Sequence, residues 1–345
     1  MHVIIPKSFE SADYSGKSYF VHFVNFYPFD LKSKERLGSN TQIINILRGL
    51  NPSALFFGYI RSHPEVALNY IKEKPSCTTF LIAHAKEIFF NSVKNNNVDG
   101  SHKGFTSEEI DFYKNTINHF NYVLPVSSFT KKTLSSVNIS TKKLILPPAI
   151  TVPSKVNVKK KFPSLLSVGR LITRKGQLNV IKLIPRLLIK YPNLKYNIIG
   201  SGPDGDSIAD LIAELGLEKS VFLHQNISNN DLPNFYSSSS IFVLPTDQLN
   251  ELDVEGFGIV FLEAGSYSLP VIGGKTGGVV DAIIDNKTGF LVEPRNVEEL
   301  FSKLDLLLSS SKLRIKLGKA AFTNSKSYFR TIPSNKILNL IIGGK

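Results

Sequence analysis

Ser240-Ile-Phe-Val-Leu-Pro245, then Glu255-Gly-Phe-Gly-Ile-Val-Phe-Leu-Glu263, then Ala264-Gly-Ser-Tyr-Ser-Leu-Pro-Val-Ile272 and Gly273-Gly-Lys-Thr-Gly-Gly278 read in succession as strand, helix and strand. The first run is short and wholly apolar, as a buried strand requires, and Gly256 and Gly258 break the pattern before Ile259-Val-Phe-Leu starts a helix. Glu255 then sits just before that helix and Glu263 within it. A helix N-terminus carries unpaired N–H groups and a partial positive charge, so the amides around Gly256, Phe257, Gly258, Ile259 and Val260 suit a diphosphate. On ideal helix geometry the two carboxylates fall roughly 80° apart around the axis and ~12 Å apart along it, gripping two parts of one extended ligand. Carboxylates offer acceptors only, so their natural partners beside a diphosphate are hydroxyls of a sugar and a ribose. Gly273 to Gly278 read as flexible glycines of the same site. The bland alternative is a surface helix with two solvated acids.

Working outward, apolar runs recur with helical patterns between them, the signature of parallel sheets with crossover helices. One series comprises Val3–Pro6, Ala54–Phe57, Thr79–Ala83, Tyr122–Pro125 and Lys143–Leu146. A second comprises Ser164–Val168, Lys195–Ile199, Val221–Leu223, Ile241–Leu244, Pro270–Ile272 and Gly289–Val292. Each suffices for one doubly wound domain, and 345 residues suit two. The expected organisation is an α/β chain with one doubly wound domain over 1–150, a linker over 151–162 containing Lys159-Lys-Lys161, and a second doubly wound domain over 163–328. Pro333 interrupts the helical C-terminal pattern, and residues 329–345 read as a helix crossing back to the first domain or as a kinked surface helix.

Hydrophobic residues at 42% and charged residues at 20% describe a globular chain with little room for long disorder. The start, Met1-His-Val-Ile-Ile-Pro-Lys, does not read as a signal peptide, and no run approaches the length of a membrane span, so the expected location is the cytosol. Cys77 is the only cysteine, which excludes an internal disulfide and a cysteine metal cage and leaves a structural thiol. A net charge of +13 attracts phosphates, nucleic acid or an anionic membrane face. No nucleic-acid-binding signature accompanies it, so nucleic acid is not an expected partner, and two readings stay open, the inner face of an anionic membrane and a merely solvated lysine-rich surface.

Val168-Gly169-Arg170-Leu-Ile-Thr-Arg174-Lys175-Gly176 follows a strand directly, at the carboxyl end of the second sheet, where open α/β folds bind ligands. Arg170 as a fork and Lys175 as a point charge suit a nucleotide diphosphate, and Arg174 reads as solvated. Ile199-Gly-Ser-Gly202-Pro-Asp-Gly205 lacks the dinucleotide spacing and reads as a tight turn, with Asp204 and Asp206 as turn acids rather than a metal site. His84 ends an apolar strand at the ligand edge of the first sheet, where an ordinary edge histidine is the alternative. Asp13-Tyr-Ser-Gly16-Lys17-Ser18 follows the first strand, precedes a helix-like run and is a faint phosphate loop, with Gly16 and Lys17 as its candidates.

From about Ser164 to Val292 the chain resembles the large group 1, family-4-like set of retaining glycosyltransferases that includes sucrose synthase, glycogen synthase and bacterial phosphatidylinositol mannosyltransferases. The resemblance rests on Val-Gly-Arg…Arg-Lys-Gly, the two glutamates of Glu-Gly-Phe-Gly-Ile-Val-Phe-Leu-Glu, the Gly-Gly pair and Thr288-Gly289-Phe290. Weaker matches are His84 in His-Ala-Lys-Glu, Val126-Ser-Ser-Phe-Thr-Lys131 and Leu146-Pro-Pro-Ala149. It implies a GT-B architecture, two Rossmann-like domains facing across a cleft, with donor held by the second and acceptor mainly by the first. Arg170 and Lys175 would stabilise the leaving diphosphate, with Gly169 beside them. Glu255 would hold the sugar's hydroxyls and Glu263 the ribose, while Gly256 to Val260 touch sugar and phosphate. The segment from His224 through Asn226 and Ile227 would border the base, and His84 would lie over the sugar. The implied partners are a nucleotide-sugar donor and a glycan or lipid-linked acceptor, with no metal or other cofactor. Departures fall on the acceptor side: Gly16-Lys17-Ser18 stands where paired glycines are usual, the first Rossmann-like domain is shortened between about Phe29 and Ala54, and Ala85 and Ala149 replace glycines. Alternatives from other classes are a sugar-nucleotide epimerase, a non-catalytic sugar-nucleotide-binding or scaffold subunit, and a nicotinamide oxidoreductase, which lacks its glycine fingerprint here.

Overall fold

The computed structural model describes residues 2–6, 20–24, 34–58, 64–84, 107–151, 153, 163–228, 230–249 and 253–329. Gly16, Lys17, nearly all of the expected linker with its lysine run, and the C-terminal segment beyond Phe329 lie outside them. The chain divides into two compact units, the first reaching Leu146 and the second running from Pro147, with Ser127–Thr130 counted in the second.

In the first unit β1 (His2–Pro6) pairs in parallel with β2 (Phe20–Val24). The helix-like run expected after the Gly16 loop is therefore this strand, as its aromatic and β-branched residues, Phe20, Val21, Phe23 and Val24, favour. Then come α1 (Lys34–Leu50), β3 (Ala54–Phe57), α2 (Pro64–Glu73), β4 (Thr78–Ala83), α3 (Ser107–Asn118), β5 (Tyr122–Pro125) and α4 (Ser128–Ser136), with β3, β4 and β5 forming a parallel sheet. Lys143–Leu146, expected as a further strand, only touches the sheet edge. Leu144 and Leu146 donate to Val123 and Pro125 at 3.0 and 2.9 Å, and Pro147-Pro148 then remove the next donors. Helices and sheet enclose Leu81, Ala83, Tyr113, Ile117 and Val123. Cys77 is 3% exposed beside Ile43, Leu47, Val66 and Tyr70, and burial pushes its thiol up, as suits a structural thiol.

The second unit runs β6 (Ser164–Val168), α5 (Gln177–Lys190), β7 (Lys195–Ile199), α6 (Gly205–Glu214), β8 (Val221–His224), α7 (Leu232–Ser238), β9 (Ile241–Leu244), α8 (Ile259–Ser266), β10 (Val271–Gly274), α9 (Val279–Ala282), β11 (Gly289–Val292), α10 (Val297–Ser309) and α11 (Ser311–Ser325). Six parallel strands lie in the order β11-β10-β9-β6-β7-β8, which is the doubly wound nucleotide-binding order. The chain reverses direction between β6 and β9, and at such a switch point the turns leaving the two strands part to open a crevice.

Packing of apolar faces holds these elements. α5 buries Val180, Ile181, Leu183, Ile184 and Leu187, and persists although Pro185 deletes one bond of its ladder. α10 starts on Asn296, whose side chain accepts from Glu299 N at 3.1 Å, and α11 on Ser310, which accepts from Leu313 N at 3.2 Å. Both helices close over the sheet through Leu300, Leu304, Leu307 and Leu317. Among the described residues no helix is long and apolar enough to cross a membrane.

Candidate functional site

The turn leaving β6 continues the ladder before it breaks away: Gly169 and Leu171 donate to Ile199 and Ser201, each at 2.9 Å. Thr173–Lys175 then form a single 3₁₀ turn, closed by Gly176. Asp247, just past β9, donates its N–H to Arg174 O at 2.7 Å, which ties this turn to the other side of the switch point. The Gly200–Gly202 turn packs beneath, since a Cβ on Gly200 would stand 1.9 Å from Gly169 O. Thr173 donates to Asp204 at 2.9 Å, so that turn acid supports the cationic turn.

Arg174 and Lys175 are both buried, 7% and 8% exposed, and Arg170 is exposed. The expectation of a solvated Arg174 is thus corrected. Its Nε donates to Asp253 Oδ1 at 2.8 Å and its Nη1 to Glu255 Oε2 at 2.9 Å, and Lys175 Nζ pairs with the same Glu255 oxygen. Burial pushes the Glu255 carboxyl up, but the charges of Lys175 and Arg174 outweigh it and hold the group below its ordinary value. Among the described residues no acceptor receives the Arg170 guanidinium, whose backbone oxygen takes Gln177 Nε2 at 3.1 Å. The sequence alone does not reveal the burial of Arg174, because the 3₁₀ turn is what carries both adjacent cations inward.

Glu255 O accepts Gly278 N at 2.8 Å. Gly277 and Gly278 are small because this loop lies on them, and a Cβ on Gly278 would stand 1.9 Å from Gly256 O. Gly273 and Gly274 belong to β10, where a Cβ on Gly274 would meet Thr246 O at 1.7 Å. The glycines read as flexible are therefore close-packing positions. Thr288-Gly289-Phe290 is likewise structural: Thr288 Oγ1 and Ile284 N close a turn at 2.9 Å, and Gly289 lies against Val271.

α8 begins after Gly258, whose φ of 86° is left-handed. Glu255 lies outside the helix, so the angular and axial spacing drawn from an unbroken helix does not carry across Gly258. Among the described residues the amides of Gly258, Ile259 and Val260 donate to no acceptor, leaving three N–H groups at a positive helix end. Phe257 turns inward, 5% exposed and 5.8 Å from the Tyr328 ring, so only its backbone is available to a ligand. Glu263 is half-buried in α8, burial pushes its carboxyl up, and Tyr236 Oη donates to it at 3.0 Å. Tyr236 was not among the sequence candidates, and its serine-rich neighbourhood, Asn234-Phe-Tyr-Ser-Ser-Ser-Ser240, does not mark it there.

At the exit of β8, burial lowers His224, whose Nε2 lies 3.0 Å from Asn197 Oδ1 and whose ring is 4.8 Å from that of Phe235. Asn226 is exposed and left-handed at φ 61°, with Ile227 half-buried beside it. Two cations, two carboxylates and three free amides thus meet the carboxyl edge of one sheet. Such a set can neutralise a diphosphate and accept from hydroxyls. His84 follows β4 in the first unit and is exposed. Among the described residues no three His, Cys, Asp or Glu side chains converge as a metal site would need.

The profile of a family described as "Glycosyl transferases group 1" matches residues 150–323, half of the chain. A GDP-mannose-dependent alpha-(1-6)-phosphatidylinositol monomannoside mannosyltransferase of Mycolicibacterium smegmatis is 31% identical over 159 residues, which cover 46% of this chain and 42% of that enzyme. The chain therefore spans under half the length of that relative. Sucrose-phosphate synthase from Thermosynechococcus elongatus superposes with a TM-score of 0.73 at 17% identity, over 94% of this chain and 84% of that one. Anabaena HepE, solved with UDP and glucose, gives a TM-score of 0.71 at 15% identity, over 94% and 86%. These structural likenesses establish the fold, α/β of the GT-B type with Rossmann-like domains.

Proposed function

Since the chain belongs to the group 1 glycosyl transferases, we propose that it moves a sugar from a nucleotide-diphosphate donor to a glycan or lipid-linked acceptor, with retention at the anomeric carbon and without a metal. The observation that carries this reading is the Arg174–Lys175–Glu255 cluster beside the free amides of α8, at the switch point of a doubly wound sheet.

In this reading the diphosphate lies on the amides of Gly258 to Val260, with Arg170 and Lys175 balancing its charge as the sugar–phosphate bond breaks. Glu255 accepts from the hydroxyls of the transferred sugar and Glu263 from the ribose. The segment from His224 to Ile227 borders the base, and His84 is the first-unit residue assigned to the sugar. The acceptor oxygen attacks the anomeric carbon from the face the diphosphate leaves, through an oxocarbenium-like transition state. The acceptor's proton passes to the departing phosphate, so no protein nucleophile is needed. Positioning and charge neutralisation then supply the rate, and losing one such contact costs on the order of 3 kcal/mol of barrier.

Surface polysaccharide or glycolipid synthesis is the setting we infer, at the cytoplasmic face of a membrane. The net charge of +13 and the lipid named for the mycobacterial relative's acceptor support it. The deciding experiment is a thermal-shift screen against UDP-, GDP- and ADP-sugars and their free nucleotides, with Glu263→Ala alongside. A shift for one nucleotide class that weakens in the variant supports the donor site. No shift for any class overturns it. Product NMR with excess EDTA then tests retention and metal independence.

A further inference from the structure

Glu263 is half satisfied. Its Oε2 accepts Tyr236 Oη at 3.0 Å, and among the described residues no donor reaches Oε1. The donor is held with unusual rigidity for a phenol. Tyr236 is 3% exposed in α7, its ring lies 5.3 Å from that of Tyr267 at 12°, and 6.1 Å from that of Phe242 at 30°. Phe242 in turn meets Phe261 of α8 edge-on at 5.5 Å, so the stack spans β9 and the helix that carries Glu263. A buried Tyr hydroxyl needs an acceptor, and the carboxylate is the one it has. Burial also holds the phenol well above its ordinary value, so it stays a donor at every working pH.

A lone glutamate on a helix rotates about three side-chain bonds, and binding must freeze them. Here the hydrogen bond from the packed Tyr236 holds one carboxylate oxygen beforehand, and the oxygen left over is one acceptor with a narrowed range of positions. We propose that Tyr236 is a positioning residue, which by occupying one oxygen of Glu263 aims the other at the ribose hydroxyls and makes the site select ribonucleotides over deoxynucleotides. This rests on the donor-site reading above.

The test uses the full chain and calorimetric titration of UDP, GDP and ADP, each beside its 2′,3′-dideoxy counterpart. Wild type prefers the ribonucleotide by about tenfold, the scale of one hydrogen bond to a charged group. In Tyr236→Phe the preference falls to about twofold, through weaker ribonucleotide binding, while the dideoxy affinity holds. A merely structural tyrosine would lower both affinities and leave the ratio alone. An unchanged ratio in Tyr236→Phe overturns the proposal, as does a wild type that binds nucleotide without discriminating. In that second case the donor site itself stands. If wild type binds no nucleotide, the donor-site reading falls and takes this one with it. Should Tyr236→Phe fail to fold, Tyr267→Leu loosens the stack while keeping the hydroxyl. An intermediate ratio there supports the role, and a wild-type ratio overturns it.

Discussion

Arg174 satisfies Asp253 and Glu255 at once while 7% exposed. Removing one member of a buried ionic set leaves the others uncompensated. Arg174→Ala is expected to lose about 3 kcal/mol of stability, read as a lower urea midpoint at unchanged slope. The two glutamates respond to pH with opposite signs. Glu255 sits below the ordinary carboxyl value in the fold, so its contribution to stability is present above the unfolded value and is lost as pH falls through the folded one. Glu255→Gln is therefore destabilising at neutral pH, with the deficit shrinking in acid. Glu263 sits above the ordinary 4.5, so its ionised form costs stability at neutral pH, and that cost vanishes below the unfolded value. Glu263→Gln is expected to raise the urea midpoint at pH 7 and to leave it unchanged at pH 4. Midpoints across that range check both signs. A group that weakens the fold while it is ionised is what a binding carboxylate in a dry site looks like.

At the scale of elements, α8 is the part whose start matters more than its body. Its eight residues begin at a left-handed glycine, where an added Cβ would stand 2.7 Å from the Phe261 ring. Gly258→Ala is expected to cost about 1–2 kcal/mol from backbone strain alone, and to weaken diphosphate binding because the three free amides turn with it. Gly49 near the end of α1 is the control: nothing lies within 4 Å of its Cβ position, and Gly49→Ala is expected to gain about 0.5 kcal/mol. Thermal melts of the two variants separate glycine as a propensity defect from glycine as a built requirement. The same contrast explains Gly274 and Gly278, which are small because backbone oxygens lie where a side chain would go.

For the whole molecule, the excess of cations and the separate hydrophobic cores set different properties. The cores, one around Ile198 and Leu304 and others around Tyr113 and Tyr70, account for folding. The charge of +13 plays no part there and bears on association. Co-sedimentation with anionic vesicles is expected at low salt and should fall steeply as ionic strength passes 0.15 M, where the Debye length is about 8 Å. Binding that ignores salt, or none at low salt, removes the electrostatic account of membrane attachment.

Periodicity and glycine punctuation alone determined the parallel α/β class, nine strands of the two series to within a residue at each end, and the helix that starts at Ile259. Those signals are local, because a buried parallel strand is apolar throughout and a helix start needs a backbone break. The sequence also placed Arg170 and Lys175 at a strand exit, Glu255 just before α8 and Glu263 within it, since each position follows from the neighbouring element. It did not say that Arg174 goes inward together with Lys175, because burial of Arg174 depends on a 3₁₀ turn tied to the exit of β9, far along the chain. Nor did it separate glycines that flex from glycines that are crowded, or reveal that Tyr236 reaches Glu263. Distances between strands that are neighbours in space but not in sequence decided each of these, and only the folded sheet supplies them.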